Sequence, residues 1–144
     1  MHRIPSVKSV MTPFPYSVDV EASVEEAQSF MREHQIHHLP VTEDGNLAGV
    51  ISDGDIKLLL GPDFAFPDPK ELKVRQAMIA KVYTADLNAR LDKVLDYMAE
   101  HRLGCAVVTK ANKLVGIFTA TDACQNFADF LRRDLRRSGG NEAA

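Results

Sequence analysis

Cysteine is scarce, with Cys105 and Cys124 the two in 144 residues. So few imply no disulfide framework; Cys105 sits in an apolar pattern that buries it, and Cys124 falls on a helix. Long hydrophobic runs are lacking too. No stretch approaches the roughly 20 apolar residues that cross a bilayer, and residues 1–5 lack the apolar run of a secretion signal, so a cytoplasmic location is expected. An excess of one charge is also missing. A net charge of -3 neither attracts nor repels a class of partner, and nucleic-acid binding wants broader basicity. No glycine-rich phosphate loop appears, which argues against the common kind of phosphotransferase. No nucleophile stands beside a repeated base, so no enzyme and no catalytic residue are expected.

What the chain does have is an internal repeat. Shifted by 67 positions, Val7, Met11, Tyr16, Asp19, Ala22, Met31, Glu33, His34, Val41, Thr42, Leu47, Gly49 and Asp55 meet identical partners, from Val74 through Asp122, without a gap. With 45% hydrophobic side chains the whole chain can bury a core. One copy, at about 55 to 60 residues, is marginal alone. The copies are therefore expected to pack together, with a cleft at their interface.

The local pattern predicts an α/β (α+β) fold of two β-α-β-β-α units. Pro5, Pro13 and Pro15 make residues 1–17 an extended lead-in with a short turn near Ser9–Met11. A strand follows at Val18–Val20. Ser23 and Glu26 form a capping box for a helix that buries Val24, Ala27, Phe30 and Met31 and ends near His34. Two apolar runs around Glu43–Asn46 read as a hairpin, and Asp53 or Asp55 starts a second helix. The second copy repeats this: lead-in Val74–Ala80, strand Val82–Ala85, helix from Leu91, hairpin from Ala106 to Phe118, final helix from Asp122 to about Arg136. Divided this way, residues 1–61 are the first unit with its lead-in and 62–73 a rigid linker, whose Phe64 and Phe66 pack on the body. Residues 74–127 are the second unit and 128–144 a helical extension with a disordered tail from Ser138.

The repeated ending carries the chemistry. In each copy a strand finishes at a hydroxyl, Ser52 or Thr119, and an aspartate, Asp55 or Asp122, follows three residues later at a helix start. Free N–H groups there favour anions, while a carboxylate accepts from two donors such as the vicinal hydroxyls of a ribose. A sugar phosphate satisfies both. The same residues also read as an N-cap with an aspartate on the helix dipole, and the residues alone leave both readings open. His34, His37 and His38 do not converge from one face, because the helix ends near His34 and Pro40 forces extension; no metal site is expected.

These endings, the two-copy layout and the His38–Val41 stretch closely resemble a tandem pair of CBS domains, the Bateman module, over about residues 7–127. The resemblance implies two units packed by their sheets into a pseudo-twofold disc with two clefts. It implies an adenosine-containing ligand, AMP, ADP or ATP, with S-adenosylmethionine or NAD as other candidates, and no cofactor. Asp55 and Asp122 would hold the ribose, and Ser52 and Thr119 would touch phosphate or ribose. Backbone groups at Tyr16, Ser17 and Val18 and at Tyr83, Thr84 and Ala85 would frame the base, and His37 and His38 would meet phosphate. Gly104-Cys105 stands where the first copy has His37-His38, so the copies part there.

The arginines at 132, 133, 136 and 137 form a solvated helix end, and Phe127, Phe130 and Leu131 offer a face for self-association, which makes a homodimer the working expectation. The function expected is a regulatory ligand sensor that reports adenine-nucleotide occupancy to a partner protein on another chain, without nucleic acid or membrane. The alternative is a dimeric adaptor or scaffold that binds no ligand and whose aspartates only cap helices.

Overall fold

The computed structural model describes residues 3–60 and 68–139, with side chains to Arg137. The packing of Phe64 and Phe66 and the tail from residue 140 lie outside the described residues. In chain order the first half gives a 3-10 turn at Val7–Ser9, strands β1 (Thr12–Pro13) and β2 (Val18–Asp19), and helix α1 (Val24–His34). The hairpin β3 (His38–Glu43) and β4 (Asn46–Ser52) and helix α2 (Asp53–Leu60) follow. The second half gives α3 (Val74–Ala77), β5 (Thr84–Asp86), α4 (Leu91–His101), the hairpin β6 (Cys105–Lys110) and β7 (Lys113–Thr119), and α5 (Ala120–Gly139).

Local chemistry explains the boundaries. The Ser23 hydroxyl accepts from the Glu26 N–H at 3.0 Å and starts α1, so the serine half of the expected capping box forms. Both α1 and α4 end on a left-handed residue, Gln35 (φ 55°) and Arg102 (φ 55°), a helix stop more often given to glycine. The hairpins turn on Asp44-Gly45 and Ala111-Asn112, all four at positive φ, which matches the twist of two-residue hairpins. Helix α5 runs to Gly139, through two residues expected in the tail. Glycine and serine there carry a low helix propensity, but the arginines of the last turn suit the negative end of the dipole.

Strands β2-β3-β4 make one sheet and β1-β7-β6-β5 the other. In each, the first strand of the repeat runs parallel to the hairpin's first strand (Val18 opposite Val41, Ala85 opposite Val108). One core gathers Val20, Val24, Ala27, Met31, Leu39, Val41, Ile51, Ile56 and Leu60; the other gathers Ala85, Val94, Met98, Ala106, Val108 and Phe118.

Each core is completed by a lead-in from the other half. Val7, at the start of the chain, is fully buried in the second core, and Val74 is fully buried in the first. Backbone bonds repeat the exchange. The Val7 and Lys8 N–H groups donate to the Ala89 and Leu87 carbonyls at 2.9 and 3.2 Å, and Val74 and Arg75 donate to Ala22 and Val20 at 2.8 and 3.1 Å. Strand β1 then lies antiparallel to β7 through Thr12–Ile117, and Ile79 bridges Val50 in the same way. Burying one valine contributes about 1.5 to 3 kcal/mol, so exchanged lead-ins bind the halves into one body.

The crossing is close enough to require glycine on the receiving strands. A β-carbon on Gly49 would stand 2.4 Å from the Ile79 carbonyl oxygen, and one on Gly116 would stand 2.3 Å from the Met11 sulfur. A carbonyl cannot move without its strand, whereas a methionine can change rotamer. Gly49→Ala is therefore expected to cost about 1–3 kcal/mol and Gly116→Ala clearly less. Urea unfolding of both variants checks the order, and equal losses would contradict it.

Candidate functional site

The exchange leaves a cleft of about 610 Å³ where the lead-in of the first half crosses the end of the second. Its walls come from three places: residues 12–16, the segment from Gln35 to His38 with Pro40, and Gly104, Ile117 and Thr119–Asp122. The size suits a small-molecule site, commonly about 300 to 1,000 Å³. The ligand set is thus crossed between the copies. His37 and His38 of the first copy line the cleft that holds Thr119 and Asp122 of the second, while His38 also lies opposite Ser52 of its own copy.

The floor is the start of α5. The Asp122 N–H donates to the Thr119 hydroxyl at 3.0 Å, and the Thr119 N–H donates to Asp122 Oδ2 at 3.0 Å. This reciprocal pair fixes the carboxylate at the helix entrance and holds one of its oxygens. In the first copy the Asp55 N–H donates to the Ser52 hydroxyl at 3.1 Å. Ala120 N–H bonds the Gly104 carbonyl at 2.9 Å, and Asp53 N–H bonds the His37 carbonyl at 3.2 Å, tying each helix start to the segment before its hairpin.

The histidines differ in environment. His37 is exposed and its Nδ1 lies 2.9 Å from Asp53 Oδ2. Burial is the largest influence on Asp53 and pushes its pKa upward, but the His37 bond and charge, Lys57 and the Gly54 N–H together hold it below the usual carboxylate value. His38 is half-buried, and burial draws its pKa down against the pull of Asp53 and Asp55. His34 points elsewhere. It stacks on Tyr16 with centroids 4.2 Å apart and lies 4.3 Å from Phe30; its twin His101 stacks on Tyr97, which stacks on Tyr83. Among the described residues no group of three histidine, cysteine or acidic side chains is placed to hold a metal.

The expected base-framing residues Ser17, Val18, Thr84 and Ala85 are not among the residues that line this cleft. Ser17 follows Tyr16, and Val18 packs against the first core. Thr84 pairs with Val107, while Ala85 buries its side chain in the second core, so only its main chain can meet a ligand. Sequence reasoning missed the lining from Thr12 to Pro15, Gly104 and Thr121. Prolines at 13 and 15 were the available signal for an extended wall. Phe14 gave none: it sits at φ 46°, where a bulky residue is a conformational outlier, and its ring is 86% exposed at the mouth.

The CBS domain profile matches twice, at residues 7–61 and 74–129. With the fold above, this chain belongs to the CBS-domain family as a tandem pair. It is 31% identical over 124 residues to the CBS domain-containing protein YhcV of Bacillus subtilis, covering 84% of each chain. It is 31% identical over 104 residues to Hypoxic response protein 1 of Mycobacterium tuberculosis, covering 72% of this chain and 71% of that one. A crystal structure of Hypoxic Response Protein I with two coordinated zinc ions superposes with a TM-score of 0.71 at 29% identity, over 83% of this chain and 97% of that one. The CBS domain pair of protein MJ0100, in complex with 5-methylthioadenosine and S-adenosyl-L-methionine, superposes with a TM-score of 0.77 at 26% identity, over 88% and 98%.

The cysteines separate chemically. Burial, with the Asp55 charge behind it, pushes the Cys105 thiol to about 11, while Cys124 is exposed on α5. Since the thiolate is the reactive form, iodoacetamide at neutral pH should label Cys124 and leave Cys105 largely unmodified until unfolding. Peptide mass spectrometry checks this, and equal labelling of the native protein would contradict it.

Proposed function

We propose that this protein is a regulatory module that binds an adenosine-containing nucleotide, AMP, ADP or ATP, and passes its occupancy to a partner protein, acting in the cytoplasm as a binding protein rather than an enzyme. The observation that carries the reading is the cross-unit cleft. A carboxylate and a hydroxyl sit at the entrance of a 20-residue helix, in a cleft also lined by two histidines from the other half. The free oxygen of Asp122 suits ribose hydroxyls, the helix N-terminus and histidines suit phosphate, and Phe14 at the mouth can stack on a base. The adenosine compounds bound by the MJ0100 pair support this class of ligand. Because both halves build the cleft, a ligand there favours one relative placement of the halves, and a partner can read that preference.

The reciprocal Thr119–Asp122 pair also favours the alternative of an adaptor whose aspartates serve only as caps. Calorimetry with AMP, ADP and ATP separates the two. Losing a charge-assisted bond costs about 1.5–3 kcal/mol, so Asp122→Ala and Asp55→Ala should each weaken their own cleft by roughly ten- to a hundredfold, and the double variant should bind nothing measurable. Equal affinity of parent and double variant would leave the adaptor.

The same reading includes a homodimer through α5. Leu60, at the end of α2, is buried, but its twin Phe127 is 60% exposed, and Phe130, Leu131 and Leu135 are exposed beside it. An apolar stripe of that extent marks an interaction surface. Sedimentation should show a dimer that Phe127→Asp with Leu131→Asp converts to a monomer without loss of melting cooperativity; an unchanged mass would contradict this face.

A further inference from the structure

The backbone repeats, but the charge that could meet a ligand does not. Around Asp122, His37 and His38 are the lining side chains able to carry positive charge, while Phe14 and Gln35 are neutral. A shift of 67 positions turns Phe14, Gln35, His37 and His38 into Lys81, Arg102, Gly104 and Cys105. At the positions that the repeat relates to this cleft the chain therefore carries permanent cations in place of titratable ones. Lysine and arginine stay charged across the neutral range, and imidazole does not.

His38 is the better placed imidazole. It begins β3 opposite Ser52, and its ring lies so close over Gly104 that a β-carbon there would stand 2.7 Å from Nε2. The slot exists because the second copy carries no side chain at the twin of His37. The groups around the ring are His37 beside it on the same segment, Asp53 and Asp55 from α2, and Asp122 from α5 on the wall of the same cleft. Cys105, next to Gly104 on β6, remains a neutral thiol. Burial outweighs the carboxylates of α2, so the ring favours its neutral form until an anion arrives.

We propose that the Asp122 cleft takes the phosphate of its ligand on His38 and gains a proton in doing so, making one of two duplicated sites pH-dependent while its mate, served by Lys81 and Arg102, is not. This rests on the nucleotide reading and adds regulation to it. A phosphate beside the imidazole stabilises the imidazolium, so the complex holds more protons than the free protein. Affinity then strengthens as pH falls and levels off once His38 is protonated in the free protein. One histidine can contribute at most about tenfold per pH unit.

Calorimetry of AMP and adenosine on Asp55→Asn tests the proposal; this variant removes the carboxylate of the mate site and, by taking away one acidic neighbour of His38, lowers the imidazole pKa further without removing the imidazole. Titrations run from about pH 6 to about pH 8, each in two buffers of different ionisation heat. The buffer dependence of the AMP heat should report uptake of up to one proton, and adenosine should show none. On Asp122→Asn, AMP should bind the other cleft without that uptake. Adding His38→Gln to Asp55→Asn should remove it; titration of AMP itself near pH 6 is common to both proteins and cancels in the comparison. Proton uptake that survives His38→Gln, or AMP binding at the Asp122 cleft with no uptake, would overturn the proposal and leave the nucleotide reading standing. Failure of every nucleoside to bind any variant or the parent would remove both.

Discussion

Val7 and Val74 are each fully buried in the core of the half they do not begin, and the rest of the structure depends on that exchange. A single copy of the repeat is marginal in size. Each is finished by a borrowed valine, a pair of backbone bonds and an extended segment against its last strand. Separating the halves would expose both valines and break both sets of bonds at once. The exchange therefore makes two small cores cooperative and explains why Gly49 and Gly116, at the crossing points, carry no side chain.

The cleft follows from the same geometry. A lead-in that must reach the far half passes over the entrance of that half's last helix, and a cavity is left beneath it. Its donors and acceptors then come from both halves, and among the described residues no side-chain polar atom is buried unpaired. Exposed ion pairs on the outside, where Lys73 meets Glu21 and Arg75 meets Glu21 and Glu43, add little by comparison, because solvent screens them.

The repeat, helices α1, α2, α4 and α5 and both hairpins were legible in the sequence, since the apolar spacing of Val24, Ala27 and Met31 and the Asp44-Gly45 turn are local signals, whereas α3 (Val74–Ala77) forms within what reads as an irregular lead-in. The sequence also exposed the hydroxyl and aspartate of each ending. What it hid was which copy supplies which wall. Nothing local in Pro13 or Tyr16 says that they cross to Thr119 rather than to Ser52; the exchange is a long-range packing result. The stack of Tyr16 on His34 was hidden for the same reason, and it takes His34 away from the other histidines. The end of α5 was misjudged because Ser138 and Gly139 have weak propensity, yet the helix before them carries them on.

The most direct measurement is a crystal structure of the protein with AMP. The ribose should lie on Asp122, with the phosphate beside His38 and the lead-in from Thr12 to Tyr16 over the base. Nucleotide bound instead in the outer groove between α1 and α2, beside Arg32 and Lys57, with the crossed cleft unoccupied, would contradict it.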